Sequence, residues 1–215
     1  MICVSLAEES LTSCLEALRD IEFAEIRMDK MRLTLDDVRT LFSLPKRLIA
    51  TCRPGINSDN NRKKLLVTAI EAGASFLDVE VETETSCREQ IIAKARERDC
   101  RVIVSFHDRA ATPERHVLHR IVDSCFEAGA DIAKIACTVR SREDNARLLG
   151  LLDDSRKIVA IGMGQKGKIT RVLAPLLGSP FTFASLEKGR ETAEGQIDRE
   201  TLRELMEIVK SKLSC

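Results

Sequence analysis

Eight short apolar runs recur along this chain of 215 residues, and the interval between them hardly varies. They cover residues 2–6, 23–29, 47–53, 76–82, 101–108, 131–138, 157–164 and 181–186. Short runs rich in Val, Ile and Phe read as strands buried on both faces. From the second run onward they begin at 23, 47, 76, 101, 131, 157 and 181, a repeat of 24–30 residues. Between them lie stretches of helical pattern at 9–19, 33–42, 60–72, 86–99, 113–128, 142–152, 168–177 and 199–213. Eight uninterrupted βα units predict an α/β chain closed into a single-domain (β/α)8 barrel spanning 1–215. The alternative is an open doubly wound sheet, whose first βα turn is usually Gly-rich. Here that turn is Ser5-Leu-Ala-Glu-Glu, without glycine.

Boundary residues agree with the repeat. Glu71-Ala-Gly-Ala and Glu127-Ala-Gly-Ala each read as a helix end before a strand, with glycine as the left-handed cap. Thr112-Pro113 and Ser141 suit helix starts.

Composition removes several function classes. Lys+Arg and Asp+Glu are both 34, so there is no basic footprint for nucleic acid. Trp and Tyr are absent, which removes the best stacking platforms for bases. No stretch is apolar for long enough to span a membrane. The opening Met-Ile-Cys-Val-Ser-Leu has no basic or long apolar leader, so a cytoplasmic protein is expected. Eight cysteines, the last Cys215, form no C-x-x-C pair and are read as reduced thiols, several of them core fillers.

The informative residues are the polar ones inside strand-like runs, because a charge on a doubly buried strand needs a reason. Run two carries Glu25, Arg27 and Asp29 at a spacing that puts them on one face. Run three ends in Arg53, run four carries Asp78, Glu80 and Glu82, and run five ends Ser105-Phe-His107-Asp108. Lys134 stands between Ile132-Ala133 and Ile135-Ala136. These groups gather toward strand C-termini, where barrel sites lie. For Lys134 two readings stand: a structural lysine paired with Asp78 or Glu80, or a desolvated amine that attacks a carbonyl. His107 is either a core histidine or a general base. Glu25 and Arg27 are either ligand contacts or a structural ion pair. His116 and His119 fall on the fifth helical stretch and are read as surface or packing residues.

In this order along nearly the whole chain, Cys3-Val-Ser5-Leu, Glu25-Ile-Arg27-Met-Asp29, Thr51-Cys-Arg53, Asp78-Val-Glu80, Ser105-Phe-His107-Asp108, Ala133-Lys134-Ile-Ala136, Met163-Gly164, Ile169-Thr-Arg171, Phe181-Thr-Phe183 and Gly195-Gln196 resemble the type I 3-dehydroquinate dehydratases of the shikimate pathway. The resemblance implies that Lys134 forms an imine with 3-dehydroquinate and that His107 is the general acid/base. It implies that Ser5, Glu25, Arg27 and Arg53 hold the ring and its hydroxyls. Arg171 is the implied carboxylate clamp, helped by Thr192 and Gln196, with Met163 and Phe183 as apolar walls and Asp29, Asp78 and Glu80 in support. No cofactor and a homodimer are also implied.

One position departs from the family. The acid expected four residues after Arg53 is Asn57, which leaves Asp59, Asp78 and Glu80 as candidates to orient His107. Arg27 and Arg53 are expected to be the neighbours that keep the Lys134 amine uncharged. The segment 187–196 after the last strand is the expected lid. A class I aldolase acting on a sugar phosphate is the nearest rival, with Gly162, Gly164 and Gly167 as a partial phosphate cradle. A non-catalytic barrel that binds a carboxylate is the other, and it would need neither Lys134 nor His107.

Overall fold

The repeat folds as eight parallel strands, each followed by a helix. The computed structural model describes residues 1–55 and 58–213. The strands are Ile2–Leu6 (β1), Phe23–Arg27 (β2), Arg47–Thr51 (β3), Phe76–Glu80 (β4), Arg101–Asp108 (β5), Ile132–Thr138 (β6), Ile158–Met163 (β7) and Thr182–Ser185 (β8). The helices are Leu11–Ala17 (α1), Leu35–Phe42 (α2), Asp59–Ala72 (α3), Thr85–Glu97 (α4), Arg115–Glu127 (α5), Arg142–Leu149 (α6), Lys168–Leu173 (α7) and Arg199–Leu213 (α8).

Strand order is β7-β6-β5-β4-β3-β2-β1-β8, so the sheet curls into a nearly closed (β/α)8 barrel. β7 and β8 flank the seam. Polar backbone groups beside it find other partners, as sheet edges must. The Gly162 amide donates to the Thr170 hydroxyl at 2.7 Å, and the Ser185 amide donates to the Ile197 carbonyl at 3.0 Å.

Alternation along the strands divides the interior into two halves. The first inward residues are Cys3, Phe23, Ile49, Phe76, Ile103, Ile132, Val159 and Phe181, and they pack as one buried cluster with Phe183. Phe181 meets Phe23, Phe76 and Phe183 with ring centroids 5.2, 6.1 and 5.5 Å apart. Each such ring pair adds about 0.5–1.5 kcal/mol beyond area burial. Two residues further along, the inward positions of β1 to β6 are Ser5, Glu25, Thr51, Asp78, Ser105 and Lys134, all buried and all polar, while β7 and β8 contribute the apolar Ile161 and Phe183. One end of the barrel is therefore a dry plug and the other a polar basin. The outward strand faces join Leu41, Phe42, Leu66, Ile70, Leu118 and Val122 of the helices in the larger core.

Several sequence-based boundaries move. β2, β3 and β4 stop two residues early, so Asp29, Arg53 and Glu82 stand on the loops above them. β8 is confined to four residues. Helix α5 starts at Arg115 behind Glu114, not at Thr112-Pro113. The predicted helices at 142–152 and 168–177 each break into a 3-10 turn, at Gly150–Asp153 and Ala174–Leu176. Ser141 does cap α6, accepting from the Asp144 amide. Gly73 and Gly129 adopt φ of +113° and +97°, a region costly for residues with a Cβ, so both Glu-Ala-Gly-Ala copies act as stop signals.

A different glycine pair carries the seam. A methyl group on Gly162 would lie 2.8 Å from the Gly167 Cα and 2.8 Å from Val139 Cγ2. Neither backbone can yield without moving β7 relative to α7. We expect Gly162→Ala to lower stability by about 1–3 kcal/mol. Urea unfolding checks this, and an unchanged midpoint would show that the β7–α7 contact is not tight.

Candidate active site

The polar half of the interior opens at the C-terminal ends of the strands into a cavity of about 380 Å³. Ser5, Glu25, Arg27, Arg53, Glu80, His107, Lys134, Met163, Arg171, Phe183, Thr192 and Gln196 all line it. Residues read separately from eight strands and their loops thus converge on one chamber.

Lys134 sits at its base, 4% exposed. Its Nζ donates to Asp78 Oδ2 at 2.8 Å and to Glu25 Oε1 at 3.3 Å, and lies 4.1 Å from the Phe183 ring centroid. The sequence reading expected Arg27 and Arg53 to be its decisive neighbours; the structure instead sets two carboxylates on the amine. The pairing with Asp78 was anticipated as a structural alternative, whereas Glu25 takes the place proposed for Glu80.

These carboxylates are themselves tied down. Glu25 accepts from the Ser5 and Thr51 hydroxyls. Asp78 accepts from Arg53 at 2.9 Å and from Ser105 at 2.7 Å, and Arg53 also donates to Ser105 at 2.7 Å. Burial pushes both carboxyls up, but the cations win. Lys134 and Arg27 hold Glu25 below its usual range, and Arg53 and Lys134 hold Asp78 well below it.

Asp29 leaves the strand face on which the sequence placed it with Glu25 and Arg27. It lies in the 3-10 turn Met28–Lys30 beyond β2. It grips Arg27 through two hydrogen bonds of 2.7 and 3.0 Å. The Glu25–Arg27 ion pair allowed by the sequence does not form among the described residues; Arg27 is spoken for by Asp29 and Glu25 by Lys134.

His107 stands one inward step above Lys134 on the adjacent strand, since Ser105 pairs with Lys134 and His107 with Ala136. Burial, Arg53, Lys134 and Arg27 push its pKa well below the ordinary imidazole value. The ring is therefore neutral at pH 7, and a proton taken up there needs a nearby acid to stabilise it. Its nearest acid is Glu80, with Oε1 3.6 Å from Nδ1. Asp59 is engaged by Arg62 at 2.7 Å, so it is not the histidine's partner. Asn57 lies outside the described residues.

Arg171 is almost completely enclosed, 1% exposed. It makes one hydrogen bond, 3.2 Å to the Phe183 carbonyl, among the described residues, and its Nε has no partner. Burial alone brings its pKa down to about 10. A cationic fork buried without a counter-ion is prepared for an anion. The loop after β8 closes the remaining side. Thr192 and Gln196 hydrogen-bond each other at 2.7 and 3.1 Å, and Lys30 reaches across to the Thr192 carbonyl at 2.7 Å.

Sequence reasoning missed Thr51 and Ser105 as site residues. Both stand two positions before a residue it did select, so the period of two already marked them. It also missed the cavity residues Lys30 and Arg109, and named Glu194 only as part of the expected lid. These sit on loops, where no period points inward.

Among known proteins, the model of the type I 3-dehydroquinase family matches residues 2–212. This chain belongs to that family. A 3-dehydroquinate dehydratase from Methanococcus maripaludis is 36% identical, the match covering 97% of this chain and all of that one. One from Methanocaldococcus jannaschii is 33% identical over 99% of this chain and all of its own length. Among solved structures, the 3-dehydroquinate dehydratase of Aquifex aeolicus superposes with a TM-score of 0.83 at 25% identity, covering 97% of this chain and 98% of that one. The fold and the order of motifs are those expected from the sequence resemblance.

The paired carboxylates make a prediction about stability. Asp78→Asn removes half of the compensation for buried Lys134 and Arg53, which costs about 3–5 kcal/mol. Because folding depresses the Asp78 pKa, the carboxylate stabilises above its unfolded value of about 3.9 and loses that contribution as pH falls toward the folded value. Denaturant titrations should therefore show a large gap between wild type and Asp78→Asn at pH 7, closing only below about pH 4. A gap independent of pH would mean that Asp78 does not carry this charge.

Proposed function

We propose that this type I 3-dehydroquinase converts 3-dehydroquinate to 3-dehydroshikimate and water through an imine on Lys134. The observation that carries this reading is one chamber holding a buried amine, a neutral imidazole one strand away and an anion-seeking guanidinium with no counter-ion among the described residues.

The substrate carboxylate docks on Arg171, with Thr192 and Gln196 beside it, while Met163 and Phe183 flank the ring. Glu25, Arg27, Arg53 and Ser5 receive the ring and its hydroxyls. The Lys134 ammonium first gives up a proton to His107. The free amine then adds to the ketone, and protonated His107 helps expel the carbonyl oxygen as water, leaving an iminium and a neutral imidazole. The iminium draws electrons from the neighbouring C–H bond. His107 takes that proton, an enamine forms, and the enamine electrons push out the hydroxyl as His107 returns the proton to it. Water then adds to the product iminium, restoring the ketone and the amine. The water released on imine formation is consumed here, so the net reaction loses one water. The iminium is the electron sink, and the proposal includes no metal or organic cofactor.

The reading extends to a cytoplasmic homodimer in aromatic biosynthesis, as the family resemblance implies. No helix among the described residues is long and apolar enough to cross a membrane.

An aldolase shares the fold: a deoxyribose phosphate aldolase from Aeropyrum pernix superposes with a TM-score of 0.61 at 20% identity. The partial glycine cradle after β7 is not open to a phosphate, because Gly162 and Gly167 pack against each other. The loop after β8 adds Glu187, Glu191 and Glu194, which repel one.

Borohydride with 3-dehydroquinate should fix the mass of the reduced adduct on the Lys134 peptide, and Lys134→Ala should fix none. Labelling of another lysine would remove Lys134 from its role, and labelling only with a sugar phosphate would favour the aldolase. His107→Ala should lower kcat by about 10²–10⁴-fold with little effect on binding. Arg171→Lys loses the planar fork, so KM should rise at least tenfold; an unchanged KM would exclude Arg171 from the carboxylate site.

A further inference from the structure

The family's acid partner for the histidine is missing here, since position 57 holds an uncharged amide. His107 nevertheless needs an acidic neighbour. As a base the ring takes a proton, and the resulting imidazolium faces three cations, Arg53 from the loop above β3, Lys134 from β6 and Arg27 from β2, opposed by the Asp78 carboxylate of β4, which Lys134 and Arg53 already engage. Without a further negative charge beside the ring it is strongly disfavoured.

Most of the acids near the chamber floor are committed. Glu25 is held by Ser5, Thr51 and Lys134. Asp78 is held by Lys134, Arg53 and Ser105. Asp29 is locked to Arg27. Asp108, next to the histidine in sequence, accepts from the Ala110 and Ala111 amides at 2.8 and 3.0 Å and is used as a turn cap.

Glu80 is different. Its carboxylate accepts no hydrogen bond among the described residues and has only a 3.5 Å approach from Arg53. The same oxygen is 3.6 Å from His107 Nδ1, and that nitrogen is buried without a hydrogen-bond partner. An uncommitted acid and an orphaned ring nitrogen therefore face each other at a distance that a small side-chain rotation closes.

We propose that Glu80 is the positioning residue for His107, taking over from β4 the function that the family assigns to the loop after β3. Its carboxylate accepts the Nδ1 proton, turns Nε2 toward the substrate and stabilises the imidazolium between proton uptake and return. This rests on the dehydratase reading above. Glu80 touches no reacting atom in this scheme and acts only through the imidazole.

The test compares wild type with Glu80→Gln and Glu80→Asp. The amide of Glu80→Gln keeps the shape but cannot neutralise an imidazolium. Its kcat should fall about 10–100-fold with KM within about threefold. The acid limb of its kcat/KM profile should move to lower pH, because losing the carboxylate makes the ring harder to protonate. Glu80→Asp should recover part of kcat and return the limb toward the wild-type position. A kcat within twofold of wild type, or a loss with the acid limb unmoved, overturns the assignment. Nitrogen NMR of wild-type His107 keeps the idea testable if the variants fail to fold: the neutral ring should carry its proton on Nδ1, and a proton on Nε2 overturns it. Borohydride trapping separates the two readings. A Lys134 adduct in wild type with a normal profile in Glu80→Gln defeats this inference alone, whereas no adduct in wild type defeats the dehydratase reading and this inference with it.

Discussion

A closed parallel barrel has no edge through which a charged side chain can reach water, so each ion on its inner wall must be neutralised from within. Lys134 expresses that constraint. Its ammonium survives burial because Asp78 and Glu25 meet it from the opposite wall. Those carboxylates survive because Arg53, Ser105, Ser5 and Thr51 meet them in turn. Six strands, β1 to β6, are tied together by this one network of charge, which therefore belongs to the stability of the barrel as much as to its chemistry.

Arg171 is the exception that points to a ligand. Lys134, Arg27 and Arg53 each have an acid in contact with them, while Arg171 has, among the described residues, only a backbone carbonyl and an orphaned Nε. Burying an uncompensated guanidinium costs stability, and a carboxylate beside it offsets that cost. Neutralisation inside the network and its absence at Arg171 are two outcomes of one rule: the free protein is balanced where the amine sits and unbalanced where the substrate's charge belongs.

Much of the site was legible in the sequence because β-strand periodicity is short-range. Glu25, Asp78, Lys134 and His107 stand at every second position behind apolar residues, so their common direction follows from the backbone alone. The same rule, applied more strictly, marks Thr51 and Ser105. Lys30 and Arg109 were not legible, because a loop residue's direction depends on turns with no fixed period. Partner choice was not legible either. Glu25 pairs with Lys134 across the barrel at a separation of 109 residues, although Arg27 is two residues away. Arg27 instead folds back onto Asp29, because β2 ends at Arg27 and the 3-10 turn brings the two side chains together.

The sequence by itself determined the architecture and the inventory: eight βα units, a plug of phenylalanines at one end, and one amine and one imidazole on neighbouring strands. Both follow from local pattern, which the chain carries wherever it goes. Only the tertiary structure decided which carboxylate faces which cation, that the acid beside His107 is Glu80, and that Arg171 is left without one. Those outcomes depend on barrel curvature and strand register, which bring residues from distant strands within a few ångströms, and on competition for each oxygen among donors that no local stretch of sequence contains.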